Sequence, residues 1–144
     1  MKFRAEGPAL KTLCALVKAA LPPDFCRPEL VVPVPLHPKR LRERGFNQAV
    51  SLARGIFPSS PIALDSIKRI RDTRSQAGLP ARDRLENVKD AFTLARPLPP
   101  AARRATILDD VFTTGATVRA CAKVLLKSGI QKIDVFTIAR TVRH

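Results

Sequence analysis

Residues Thr106 to Thr117, read Thr-Ile-Leu-Asp-Asp-Val-Phe-Thr-Thr-Gly-Ala-Thr, hold the densest chemistry in this 144-residue chain. An apolar strand runs through two adjacent carboxylates, Asp109 and Asp110, into a small loop that opens a helix. A helix N-terminus leaves backbone N–H groups unpaired and carries partial positive charge, which suits a phosphate. Thr113, Thr114 and Thr117 add hydroxyl donors, and the Gly115-Ala116 step lets the backbone approach an anion closely. The two carboxylates would repel that phosphate, so they serve something else. Sugar hydroxyls, met directly or through Mg²⁺, are natural partners for paired aspartates beside a phosphate cradle. The plainer alternative is that both aspartates cap backbone groups and pair with nearby arginines. Together the parts describe a site for a sugar phosphate.

The elements around this run must position it. Pro8 to Leu21 reads as a helix with Leu10, Leu13, Leu16, Val17, Ala20 and Leu21 on one face, stopped by Pro22-Pro23. Leu30 to Val34 is a buried strand leading into the loop Pro35–Pro38. Asn47 to Phe57 is a second helix with Ala49, Val50, Ala53, Ile56 and Phe57 inward, and Ile62 to Ile70 a further strand. Arg71 to Arg84 is polar and charged and is expected to be a long mobile segment. A short strand at Ala91 to Leu94 and a Pro-rich surface loop, Arg96 to Pro100, precede the strand Thr106 to Leu108. The helix from Thr117 to Ser128 buries Val118, Cys121, Ala122, Leu125 and Leu126, with Gly129 suited to its C-cap. The last strand is Lys132 to Ala139. Apolar strands alternating with helices predict an α/β fold, a mainly parallel sheet flanked by helices, with the ligand beyond the carboxyl ends of the strands.

Composition adds a second feature. The formal charge is +14, from 26 basic and 12 acidic residues. A small phosphate ligand needs few of those cations. The surplus fits either a nucleic-acid partner or an arginine-rich solvated surface. With no Trp and no Tyr, any nucleic-acid contact would fall mainly on phosphate. Cys14, Cys26 and Cys121 are too widely spaced for a zinc site or a disulfide framework. Cys14 and Cys121 fall among apolar helix positions and are expected to be buried. No stretch approaches the ~20 apolar residues needed to cross a bilayer, and the start has no signal-peptide core. No membrane insertion and a cytoplasmic location are therefore expected.

The Asp-Asp-x-x-Thr-Thr-Gly-x-Thr run resembles the loop that binds phosphoribosyl pyrophosphate (PRPP) in type I phosphoribosyltransferases. Pro33-Val34-Pro35-Leu36, followed by Arg44-Gly45-Phe46-Asn47-Gln48, resembles the competence protein F (ComF) subset of that family. Thr73, Gln76, Leu79, Arg84, Asn87 and Val88 match the subset's flexible-loop pattern, ending in Ala91-Phe92. The resemblance covers nearly all of the chain from Lys2 and implies one type I phosphoribosyltransferase-like domain over residues 1–144. It places Asp109 and Asp110 on the ribose and the shell of a Mg²⁺ ion. Thr113, Thr114, Gly115, Ala116 and Thr117 would take the 5′-phosphate. Leu36, His37, Lys39 and Arg40 would take the pyrophosphate, where backbone N–H groups and the two cations can neutralise a diphosphate. The Thr73–Asn87 segment would close over PRPP, with Gln76 and Arg84 facing it. Arg44 could pair with a phosphate, Glu43 or Asp110; Asn47 and Gln48 would hold the Arg44 segment or cap a helix. Longer ComF-like proteins begin with a cysteine-rich zinc module. This sequence shows none, and Lys2-Phe3-Arg4 resembles the segment that follows it.

Two functions follow from the resemblance. One is a PRPP-binding protein acting in DNA uptake and natural transformation, handling internalised single-stranded DNA beside proteins of the uptake machinery. The other is an active Mg²⁺-dependent phosphoribosyltransferase with a small acceptor, for which no residue stands out as a general base.

Overall fold

A computed structural model describes residues 7–71, 80, 82–83, 89–112 and 114–141. Helix α1 (Pro8–Ala20) opens the described chain, with Pro at its first position, where the missing N–H costs nothing. Strand β1 (Val31–Pro33) follows, then α2 (Pro38–Arg44) and α3 (Gln48–Ile56). Strands β2 (Ile67–Arg69) and β3 (Phe92–Leu94) form a small antiparallel pair. Strand β4 (Arg104–Phe112), helix α4 (Ala116–Lys127) and strand β5 (Lys132–Arg140) complete the order.

The main sheet is three-stranded, ordered β1-β4-β5, with both pairings parallel. The expected α/β class, a mainly parallel sheet flanked by helices, is thus borne out. Side chains alternate across a strand, and the core divides accordingly. Val31 and Leu108 face a cluster built on Cys14, Ala49, Leu52, Ala53, Ile56 and Phe57 of α1, α3 and the residue after it. Val32 and Ile107 face the opposite cluster, with Val118, Cys121 and Leu125 of α4 and Ile67 and Phe92 of the small sheet. A strand buried on both faces reads as an unbroken apolar run, which is why Leu30 to Val34 stood out in the sequence. Strand β5, at the other edge of the sheet, has no fully buried residue.

Several expectations need correction. Strand β4 runs from Arg104 to Phe112, far past Leu108, because Asp109, Val111 and Phe112 continue the ladder opposite Thr137, Ala139 and Arg140. Ladder hydrogen bonds override the low strand propensity of Asp here. The expected strand over Ile62–Ile70 is limited to Ile67–Arg69, with Ile62 making an isolated bridge to Val31. Helix α2 was not foreseen. Leu16 of α1 and Leu126 of α4 are 65% and 53% exposed, and Ala20 is exposed as well. Leu52, outside the expected inward set, is fully buried in α3. Cys14 and Cys121 are buried as expected, and Cys26 is exposed.

Helices α1 and α3 pack closely at Gly55. A Cβ there would lie 2.4 Å from Cys14 Sγ and 3.1 Å from Cys14 Cβ. Gly55→Ala should cost about 1–3 kcal/mol through overpacking. Denaturant unfolding of Gly55→Ala, Cys14→Ala and the double variant should show that removing the sulfur recovers most of the loss. Strict additivity of the two changes would refute the contact.

Candidate functional site

Strands β1 and β4 lie side by side in parallel, so the chain segments leaving their carboxyl ends meet at one end of the sheet. Between them lies a cavity of about 210 Å³. Leu36, Arg40, Arg44, Asn47 and Gln48 line it from the β1 side. Asp109, Asp110, Gly115, Ala116 and Thr117 line it from the β4 side. Ten of the residues expected in a sugar-phosphate site therefore share one cavity.

Several of the expected site side chains make local hydrogen bonds. Asn47 caps α3, its Oδ1 accepting from the Ala49 N–H at 2.9 Å. Its Nδ2 donates to the Val34 carbonyl at 3.0 Å, tying the helix start to the end of β1. The capping role weighed for Asn47 is thus the observed one, and Gln48 follows as the first residue of α3. His37 caps the unforeseen helix α2, its Nδ1 accepting from the Lys39 N–H at 3.2 Å. His37 and Lys39 do not line the cavity, whereas Arg40 and Arg44, one helical turn apart, both do. The expected loop cation set is therefore redistributed by a helix: Lys39 is exposed and Arg40 turns inward.

On the β4 side, Gly115 adopts φ +78°, and a Cβ there would lie 2.8 Å from the Phe112 ring. Glycine is needed on both counts. The Arg140 guanidinium stacks on Phe112 at 5.6 Å, supporting the turn from below. Thr114 Oγ1 accepts from the Ala116 N–H at 3.3 Å, so this hydroxyl caps the helix entry. Thr113, Gln76, Arg84 and Asn87 lie outside the described residues.

Asp109 and Asp110 sit within β4, and both line the cavity. Asp109 Oδ1 accepts from the Asp110 N–H and Asp110 Oδ1 from the Val111 N–H, both at 2.9 Å. The plainer backbone role is therefore realised for one oxygen of each carboxylate. Burial pushes the Asp109 carboxyl up to about 7; Asp110 adds to the rise, and Arg69 opposes it. Arg69, at the end of β2, was missed in the sequence. It is 8% exposed, stacks on Phe92 at 5.3 Å and lines the cavity. Nothing local marks a lone arginine in a short strand as a site residue; only the tertiary fold brings it to Asp109.

The donor set is compatible with a hard cation but incomplete for one. No group of three or more His, Cys, Asp or Glu side chains among the described residues could hold a metal ion. Asp109 and Asp110 could hold Mg²⁺ only with oxygens of a ligand or water. No helix among the described residues is long and apolar enough to cross a membrane.

No family model matches the chain. It is 40% identical over 118 residues to competence protein F of Haemophilus influenzae, covering 78% of this chain and 51% of the relative. It is 40% identical over 117 residues to the DNA utilization protein YhgH of Salmonella typhi, covering 80% and 51%. Competence protein ComFC of Streptococcus pneumoniae is 27% identical over 109 residues, covering 76% and 47%. The chain thus spans about half the length of the curated relatives it matches. Its fold is similar to that of the allosteric regulatory enzyme of purine biosynthesis, with TM-score 0.51 and 18% identity over 90% of this chain and 25% of that one. A hypoxanthine phosphoribosyltransferase from Staphylococcus aureus aligns with TM-score 0.49 and 14% identity, over 94% and 68%.

A carboxyl whose folded value is raised stabilises the fold fully below its ordinary value, 3.8, and loses that contribution as pH rises through about 7. Relative to Asp109→Asn, the native chain should lose stability from pH 4 to 7, by up to about 1.4 kcal/mol per pH unit. Chemical denaturation across that range checks the slope; parallel profiles for the two proteins would refute it.

Proposed function

We propose that the chain, a member of the competence protein F family over the stretch it shares with the 40%-identical relatives, binds PRPP and acts in the cytoplasm in the uptake and handling of transforming DNA. The observation that carries the ligand half is the shared cavity at the carboxyl ends of β1 and β4. One wall offers Asp109 and Asp110, suited to ribose hydroxyls and, with ligand oxygens, to Mg²⁺. Beside them the turn at Gly115 opens a twelve-residue helix whose first N–H groups suit the 5′-phosphate. Facing them, Arg40 and Arg44 supply the charge a pyrophosphate needs. A sugar carrying phosphate at both ends matches that order of anion site, hydroxyl site and second anion site. The reading requires binding and does not depend on turnover.

The DNA half is supported by the +14 charge and by relatives named for competence and DNA utilization. Single-stranded DNA would be held through its phosphates on the basic surface, beside proteins of the uptake machinery.

Calorimetric titration of PRPP with and without Mg²⁺ tests the first half. Saturable, metal-dependent binding is expected, and Asp110→Asn should weaken it about tenfold or more with unfolding unchanged, since this carboxylate lies at the cavity wall. An unaltered affinity in that variant would remove Asp110 from the site. The second half is tested by anisotropy with a labelled single strand. Affinity should fall steeply between 50 and 200 mM salt, with a log–log slope near −0.7 per phosphate contacted. No binding even at the low-salt end would end the nucleic-acid half alone.

A further inference from the structure

Next to the phosphate cavity lies a larger groove of about 970 Å³, formed by α1, α3, the Pro35–Pro38 turn and the approach to β2. Its floor is aliphatic, with Leu10, Cys14, Val50 and Ile67, and Leu41 and Leu64 stand at its margins, each 42% exposed. Its rim is basic: Lys11 and Lys18 from α1, Arg54 from α3 and Lys68 from β2 are all exposed. Among the described residues of the lining, Asp65 is the acidic one.

We propose that this groove docks an acidic amphipathic helix from a partner protein. An apolar floor between rows of cations complements a helix with an apolar stripe flanked by carboxylates. Lys11 and Lys18 are seven residues apart on α1, so they share a face about 10 Å apart. That spacing matches two acidic positions a heptad apart on a helix lying alongside. Single-stranded nucleic acid fits less well, because such binding relies on aromatic platforms for the bases. Among the described residues of the lining, Phe46 is the aromatic ring, and the remaining apolar contacts are branched or small. A compact ligand also fits less well, since its polar anchors would converge, whereas these cations are spread over three elements.

The test uses the full chain and a labelled peptide of roughly two heptads, with Leu at i, i+3, i+4 and i+7 and Glu on both flanks. A control peptide has the same composition in scrambled order. The patterned peptide should bind at least tenfold tighter than the scrambled one. Lys11→Glu with Lys18→Glu should abolish that preference, and Leu64→Ser should weaken binding several-fold. All three positions are exposed and outside the phosphate cavity, so PRPP titration of the same variants should be unchanged. That arm separates failure of the groove from failure of the PRPP site. No binding of the patterned peptide, equal binding of the scrambled one, or indifference to the charge reversal would overturn the proposal. So would an oligothymidine that displaces the peptide and loses affinity in Leu64→Ser, which would mark the groove as a nucleic-acid surface.

Discussion

The parallel pairing of β1 with β4 is the constraint on which everything else rests. Val31, Val32 and Pro33 stand opposite Thr106, Ile107 and Leu108, and the ladder is closed at its end by the Val34 N–H donating to the Leu108 carbonyl at 2.9 Å. That register brings residues widely separated in the chain, Leu36, Arg40, Arg44, Asn47 and Gln48 with Asp109, Asp110, Gly115, Ala116 and Thr117, around one small cavity. A slip of one residue would turn Val31 and Leu108 to the wrong face and exchange the two halves of the core. The pairing is therefore held by the same apolar residues that make it: Val31, Val32, Ile107 and Leu108 are each at most 1% exposed. Site geometry is inherited from core packing.

Upon that frame the electrostatics are balanced across the cavity. Asp109 and Asp110 are adjacent carboxylates in a sequence whose net charge is strongly positive. Burial of Asp109 acts against ionisation, and the neighbouring Asp110 acts in the same sense, while Arg69 pulls the other way. Cys121, beneath Asp109, feels the same surroundings: burial pushes its thiol up, with the Asp109 charge adding to the effect. It is thus a packing residue of α4 rather than a reactive thiol. A carboxyl raised in this way is sensitive to any charge or hydrogen-bond donor entering the cavity.

Much of the fold was readable because its signals are strong. Double-sided burial leaves an unbroken apolar run at β1, prolines stop α1, and Gly115 and Gly129 bracket α4 at φ +78° and +100°. What escaped had no local signal. The Pro38–Arg44 segment is too polar to show a helical stripe, yet it folds as α2 because His37 caps it and Gly45, at φ +81°, ends it. Leu16 and Leu126 fit their helical stripes but lie on margins that neither neighbouring helix nor sheet covers. The Asp109–Thr117 loop was readable from residue types, and the Pro35–Pro38 loop from its place after a strand and from the family resemblance. Arg69 was not, because its role is set by β2 pairing with β3 and by the Phe92 ring beneath it.

The cavity and the groove share Leu36, Asn47 and Arg69, so one wall serves both. Asn47 stiffens that wall by bonding at once to the end of β1 and the start of α3. What differs is the sign pattern on each side. The cavity lining combines the carboxylates of Asp109 and Asp110 with Arg40, Arg44 and Arg69. The groove spreads cations around an aliphatic floor with Asp65 as the acid in its lining, so it selects for extended anionic, apolar-faced surfaces and not for the pattern of hydroxyls on a sugar. A single strand order thus supports two neighbouring surfaces with different chemistry, divided by the side chains of one helix cap and one buried arginine.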